Sequence, residues 1–448
     1  MFTTSKNSNP NYLCKLVQVT NLEKHPNADR LQITNIDFNT IITGTTIKLN
    51  DWVVYFPLEC TINKDFLSVT NSFRKSELNV YKEAKGFFEE DGRVKATKLR
   101  GQRSMGYIVP VEEVLKFANL PLNTKLTTCY FDTVNEILLA KKYKIKHNKS
   151  ETTNKKELTK SDKKAVVHNI LEGQFKFHID TPNLRKEIYN IKRNDLVSIT
   201  YKLHGSSVIV SNLLHTRSLK WYEKFVNKYI TPVKDTYYDL VISSRKVIKT
   251  VDNQQHYYKE DIWRDTGLAI KDRIPPGYSL YGEIVGYLTN GSYIQKDYDY
   301  GLEKGKKQLY IYRITYTSPE NNVIELSTTQ CEQFCKHFGL EFVPIFENTV
   351  PFEQVIQKYC KSSICVSDLS DDDFYQLAIQ TLEAKFTENN CYMCNNKVPE
   401  EGIIIRVENS FKFDVKKLKG FRFLEKESKQ LDTQEVDLEE EQKQEGTD

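Results

Sequence analysis

A lysine, a histidine and a glycine stand together in "YKLHGSSVIV" (201–210), at the head of a run of small and β-branched residues. A lysine in such a strand is either a solvated charge or a nucleophile, and its surroundings decide which. An amine attacks only when uncharged, so a nucleophilic lysine needs its pKa brought well below the usual value of about 10.4. Neighbouring cations are one way to do this. Gly205 has no Cβ, so the chain can turn tightly three residues after Lys202. Four further groupings follow in chain order: Ser243-Ser244-Arg245, Glu283 directly after Gly282 in "YGEIVGY", Tyr312 within "YIYRI", and Glu401-Gly402 leading into "IIIR". A lysine-rich stretch at 412–419 closes the series.

Each residue type has a chemistry and a bland alternative. Carboxylates suit a hard divalent cation, which keeps several waters when it bridges phosphates. Glu283 and Glu401 are also plausible as structural acids paired with a nearby lysine. An arginine fork matches phosphate or ribose, and a flat tyrosine ring matches a purine face, although Tyr312 in an aromatic strand fits plain core packing nearly as well. On a period-2 strand, Lys412, Asp414 and Lys416 share one face while Phe411, Phe413 and Val415 share the other. Lys417 and Lys419 form the literal K-x-K pair. Cys391 and Cys394 are spaced as in zinc sites, but the other cysteine spacings are irregular, and free buried thiols are expected.

The elements that must position these groups fall into two regions. Residues 12–120 hold many short β-rich runs separated by turn signals, which predicts a small closed β-barrel. Within it, "GRVKATKLRGQRSMGYIVP" places Arg93 and Lys95 on one strand face, with Lys98, Arg100 and Arg103 near its end. A basic rim of this kind suits a phosphate backbone, though a solvated strand face is about as good an explanation. Residues 166–424 alternate strand-like runs with helical stretches such as 328–339 and 371–386 and predict an α+β domain. No Gly-rich nucleotide loop follows any strand, which argues against Rossmann and P-loop sites. The expected organisation is a barrel over 1–135, a basic linker over 136–165, the α+β domain over 166–424 and an acidic disordered tail over 425–448.

Composition sets the outer bounds. Among 448 residues, hydrophobic content is 39% and charged content 28%, as in an ordinary soluble protein. There is no long apolar run and no secretory leader pattern, and nine cysteines accompany this, so an intracellular, cytoplasmic protein with free thiols is expected. Residues 141–164 carry ten lysines against three acids, and residues 432–448 carry eight acids against one lysine. Neither segment has the packing residues to build a core.

In this order the motifs resemble those of the covalent nucleotidyltransferases: DNA ligases, RNA ligases and mRNA capping enzymes, whose nucleophile strand reads K-x-[DH]-G. Histidine in the third place, followed by "GSS", is more similar to RNA ligases. "FKFHIDTPNL", "ITYKLHGSS", "SSRKVIK" and "GRVKATKLRGQ" together resemble the ATP-dependent RNA ligases that carry an N-terminal OB-fold module. The opening "EKHPNADRLQI" is similar to OB-fold tRNA-binding modules. The resemblance spans most of 12–424.

It implies an OB-like barrel followed by a nucleotidyltransferase domain of antiparallel sheets with flanking helices. It implies an enzyme that uses ATP and Mg²⁺ or Mn²⁺ to join a 3′-hydroxyl RNA end to a 5′-phosphate end, at nicks in duplexes or between RNA ends, as a monomer without membrane attachment. Lys202 would carry AMP. Arg245, Glu283, Glu401, Lys412 and Lys416 would complete the catalytic set, with His204, Gly205 and Tyr312 also contacting ATP. Glu401 and then Glu283 would hold the metal, and Arg93, Lys95, Lys98, Arg100 and Arg103 would contact RNA. Two departures stand out. Asp414 occupies the second place after Lys412, and the stretch from Lys202 to Arg245 is long for the family, which keeps Arg217 as a fallback. DNA ligases and capping enzymes usually carry their OB domain after the last motif, where only about thirty mostly acidic residues follow here. A non-catalytic OB-fold binding protein is the alternative from another class.

Overall fold

A computed structural model of the protein describes residues 1–6, 8–144, 169–249, 260–361 and 364–433. Most of the expected basic linker, and the tail beyond 433, lie outside the described residues.

The α+β domain is built on two antiparallel sheets. One orders its strands Ile345–Pro351, Leu196–Lys202, Gly402–Val407, Asp414–Lys419. Leu196–Lys202 is central in it, with five consecutive buried residues, which explains an apolar and β-branched run without clean alternation. The second sheet orders Thr236–Ser244, Ser206–Thr216, Tyr278–Gly286, Lys307–Thr317 and Val323–Glu325, with Glu341–Phe342 added in parallel to Lys307–Thr317. Lys202 therefore ends a strand of one sheet, and Ser206, four residues on, begins a strand of the other.

Helices cover the sheets and obey their local signals. Thr328–Phe338 starts at a reciprocal Ser327/Gln330 capping box and stops at Gly339, whose φ of 64° is the left-handed cap glycine tolerates. Asp371–Phe386 is capped by Ser370, carries three aspartates in its first turn, and buries Phe374, Ala378 and Leu382 along one stripe.

The N-terminal region departs from the expected closed barrel. Among the described residues its strands form separate small sheets: a four-stranded one (Tyr107–Pro110, Trp52–Phe56, Cys14–Gln18, Cys129–Phe131), two of three strands and two of two. The strands are two to six residues long and interrupted by positive-φ positions such as Asp37, Phe38, Gly101 and Gly106. Where ladders would have to join, single bonds stand in, as where Met105 N–H donates to Thr40 O at 2.8 Å and Ile42 N–H to Ser104 Oγ at 3.1 Å. Ala140–Lys142 pairs with Cys60–Ile62, so this module continues past residue 135.

The expected tail also begins as structure. Phe421–Asp432 is a helix wedged between the two regions. Phe421 packs with Ala96 and Met105, Ser428 Oγ donates to Glu59 Oε1 at 2.8 Å, and Arg93 Nη2 donates to Ser428 O at 2.9 Å. No helix among the described residues is long and apolar enough to cross a membrane.

Candidate active site

The register of the first sheet sets Lys202 opposite Gly402. Gly402 has φ +145°, and a Cβ there would lie 1.9 Å from Leu418 O, so only glycine allows the neighbouring strand this close. The preceding Glu401 is thereby held, 3% exposed, with Oε1 2.7 Å from Lys202 Nζ and 3.2 Å from Lys419 Nζ. Glu400 turns away and accepts a hydrogen bond from Asn389 N–H at 3.1 Å. The Glu-Gly spacing thus selects Glu401 as the acid at the lysine.

The turn after Lys202 is clamped by strand Tyr278–Gly286 of the second sheet and by the segment that follows it. Gly205 N–H donates to Glu283 Oε1 at 3.1 Å, and Gln295 Nε2 donates to Gly205 O at 2.7 Å. A Cβ on Gly205 would meet Ile284 O at 2.4 Å. Tyr300 Oη accepts from His204 N–H at 2.6 Å and donates to His204 O at 3.1 Å. The His204 ring packs edge-on against Tyr298 and Phe423, each with centroids 4.9 Å away. Burial pushes the imidazole pKa down to about 4, against the opposing pull of Glu401 and Glu427. At neutral pH His204 is an uncharged wall of the site.

A cleft opens beside Lys202. It is lined by Arg245, Glu283, Tyr312, Lys417 and Lys419, with Leu203, Val343, Ile404, Phe413 and Val415 as apolar surface. Arg245 reaches it at the end of Thr236–Ser244, because Ser244 pairs with Val208 whatever is inserted at the far end of the hairpin. It forms an ion pair with Asp180, which also accepts from Asn9 Nδ2 at 2.9 Å. Arg217 lies at that far end and is engaged by Glu223 at 2.8 and 2.9 Å, so it takes no part in the cleft. Tyr312 Oη sits 3.4 Å from Ser207 Oγ and 3.3 Å from His178 Nδ1, which leaves its ring on the cleft wall rather than in a closed core.

Lys417 and Lys419, and not the expected Lys412 and Lys416, line the cleft. The regular strand begins at Asp414, and Val415, Lys417 and Lys419 face the cleft while Leu418 faces the core. Lys416, 2% exposed, lies on the opposite face in an ion pair with Asp414, and Lys412 is exposed in the loop before the strand. Alternation holds from Asp414 to Lys419 but does not reach Lys412, and the face that carries Lys416 points away from Lys202. Burial, then the charges of Lys419, Lys202 and Arg245, push the Lys417 pKa down to about 8. Other cleft residues that the spacing did not single out are His178, Thr181, Thr328, Arg406 and Phe413. His178 and Thr181 lie in "FKFHIDTPNL", where the signal was present without an assignment. Phe413 lies under the guanidinium groups of Arg313 and Arg406, at 4.1 and 5.2 Å.

The basic rim is divided. Arg93, with no exposed side chain, pairs with Glu59 at 2.9 Å and with Asp432, and Lys95 pairs with Asp432 at 2.6 Å. Arg103 binds Glu383 at 2.9 Å and Glu388 at 3.0 Å. These three join the N-terminal module to the rest of the chain, while Lys98 and Arg100 remain exposed. The "EKHPNADRLQI" loop packs on the same hairpin, with His25 Nε2 3.2 Å from Leu99 O and Asn27 Nδ2 donating to Arg100 O at 2.9 Å.

For a metal, Glu283 and Glu401 supply buried carboxylates flanking the Lys202 turn. No cluster of three or more His, Cys, Asp or Glu suited to a metal occurs among the described residues. That donor set suits an ion held by one or two carboxylates with phosphate oxygens and water, and not a closed all-protein cage.

Residues 195–426 match the family model for RNA ligase. No curated protein matches the chain. Among solved structures, an apo mutant of Naegleria gruberi RNA ligase aligns with TM-score 0.54 at 17% identity, covering 94% of this chain and 99% of that one. A lysine-to-alanine mutant of the same ligase with ATP and Mn aligns with TM-score 0.53 at 18% identity, covering 92% and 98%. A glutamate-to-alanine mutant with AMP and Mn gives 0.54 at 17%, covering 93% and 99%. At these identities the likeness establishes a common fold, of mixed α/β type with antiparallel sheets. The family match spans more than half of the 448 residues, and the chain belongs to the RNA ligase family.

Proposed function

We propose that the protein is an ATP-dependent RNA ligase that joins a 3′-hydroxyl to a 5′-phosphate through a lysyl-AMP on Lys202. The observation that carries this is the contact of Lys202 Nζ with buried Glu401 at 2.7 Å, in a cleft that also gathers Arg245, Lys417 and Lys419.

Lys202 Nζ gives up a proton, for which Glu401 Oε1 is the nearest base, and forms a bond to the α-phosphorus as the bond to the pyrophosphate oxygen breaks. The RNA 5′-phosphate oxygen then takes the adenylyl group, the N–P bond breaks and the amine is reprotonated. Finally the 3′-hydroxyl attacks the activated 5′-phosphorus, loses its proton and displaces AMP. Lys417, Lys419 and Arg245 balance charge on the phosphates, where fixed cations have most effect on such transfers. Tyr312 and the apolar wall suit an adenine face. Mg²⁺ or Mn²⁺ beside Glu401 and Glu283 would supply further neutralisation of phosphate charge. The ATP, AMP and Mn of the Naegleria gruberi structures support this choice of nucleotide and metal.

We further assign the N-terminal module as an OB-like RNA grip acting with Lys98 and Arg100 on the duplex flanking a nick, with residues from 166 on as the catalytic domain. A monomer working in a reducing, cytoplasmic setting fits nine cysteines without a pairing pattern.

Incubation with α-labelled ATP or GTP and Mn²⁺ tests the reading. The expected result is label from ATP on the denatured protein, absent in Lys202→Met and chased onto a 5′-phosphorylated RNA. Label from GTP alone would point to capping chemistry, and no label from either would sink the enzyme reading.

A further inference from the structure

The hairpin that begins at the Lys202 turn and returns to Arg245 extends far beyond what those residues need. Strands Ser206–Thr216 and Thr236–Ser244 stay paired out to Thr216 and Thr236, about 30 Å from the turn at ~3.3 Å per residue. There they are joined through helix Trp221–Tyr229, of which no residue is buried. Trp221 is 83% exposed, Phe225 57%, Tyr229 64% and Ile230 70%. The helix is nevertheless fixed at its start, where Glu223 accepts from Arg217 and from Lys220 N–H at 2.8 Å.

The helical repeat sorts these side chains into two parallel stripes. Trp221, Phe225 and Tyr229 recur every four residues on one side, and Lys220, Lys224 and Lys228 recur likewise beside them. Members of each stripe are about 6 Å apart along the axis, close to two steps of a stacked nucleic-acid strand at ~3.4 Å each. Lys228 Nζ lies 4.9 Å from the Tyr229 ring centroid, so charge and ring face present themselves together. The helix's one acid, Glu223, is consumed by Arg217, which leaves the exposed surface net positive.

We infer that this helix is a second RNA-binding site, a platform on which unpaired bases flanking the joined ends stack on Trp221, Phe225 and Tyr229 while their phosphates meet Lys220, Lys224 and Lys228. RNA is the family's substrate and carries both complements at once: flat faces for the rings and a regular line of negative charge for the lysines. A protein partner would need an apolar groove edged with acid along one side only. The platform rests on the RNA substrate and not on the Lys202 chemistry.

The test uses the full chain and a labelled single-stranded oligoribonucleotide. Trp263 is buried and Trp52 half-buried, so Trp221 dominates the solvent-accessible tryptophan signal. RNA is expected to quench it. Trp221→Ala should weaken RNA binding roughly five- to a hundredfold. The double change Lys224→Gln with Lys228→Gln should reduce the slope of log affinity against log salt by about 1.4, at about 0.7 per lost phosphate contact on a single strand. Both variants should keep the wild-type melting temperature, since none of these side chains is buried. Unchanged RNA affinity and salt slope in both would overturn the platform and leave the stripe to a protein partner. RNA quenching in a protein that forms no AMP adduct would overturn the proposed function and leave the platform standing.

Discussion

At the scale of single residues, the site is a set of charges whose states depend on burial and on one another. Lys417 has its pKa pushed down to about 8, so it is protonated below that pH and neutral above it. A bound triphosphate favours the ammonium form, so ATP binding should take up a proton above about pH 8 and almost none at pH 6.5. Calorimetry in buffers of different ionisation enthalpy would detect this, and Lys417→Met should remove it. His204 runs the other way with respect to stability. Its folded pKa of about 4 lies below the unfolded value of about 6.5. Between those values the unfolded chain binds a proton that the folded one refuses, so stability falls as pH drops through the window, by roughly 3 kcal/mol in total. Urea unfolding at pH 7 and pH 4.5 should show a smaller loss in His204→Asn than in the wild type; an equal loss would put the pH dependence elsewhere. Glu401→Gln keeps the shape of the side chain but removes the base, and should slow formation of the AMP adduct by about 10²–10⁴-fold.

At the scale of elements, one strand decides which lysines reach the cleft. Lys417 and Lys419 face the cleft from Asp414–Lys419, whereas Lys412 lies outside the strand. Lys417→Ala and Lys419→Ala should each cut adduct formation by a factor of ten or more, while Lys412→Ala should leave it within about twofold. Much of this element-level plan was legible in the sequence. The lysine strand, the glycines at 205 and 402, the Glu-Gly pair and the helical stretches at 328–339 and 371–386 are local signals, each set by a steric or periodic requirement of the chain. The face of the last strand was not legible, since alternation gives two faces and only the pairing with Gly402–Val407 says which one meets Lys202. The barrel was overdrawn for a related reason: short strands and turns are local, whereas closure is a long-range property, and here single bonds replace the missing ladders. Arg93, Lys95 and Arg103 looked like a free basic rim because nothing local announces Glu383, or a helix in what reads as an acidic tail.

At the scale of the whole molecule, helix Phe421–Asp432 ties the N-terminal module to the α+β domain beside the cleft. Lys419, which touches Glu401, also pairs with Glu427 of this helix at 3.0 Å, and Ser428 one residue on holds Glu59 and Arg93. Removing Arg93 takes the guanidinium from Glu59, whose side chain is 17% exposed and keeps the Ser428 hydroxyl, at a cost below the roughly 3–5 kcal/mol of a fully buried pair. Arg93→Ala should therefore lower the urea midpoint and expose the connection between the regions to protease, and unchanged digestion would show that the helix holds without it. The proposed function turns on Lys202 as the residue that carries AMP. Peptide mass spectrometry after incubation with ATP and Mn²⁺ locates the modified residue. An adenylyl group is expected on the peptide containing Lys202, lost when a 5′-phosphorylated RNA is added. An adenylyl group on another residue, or ligation that proceeds undiminished in Lys202→Ala, would contradict it.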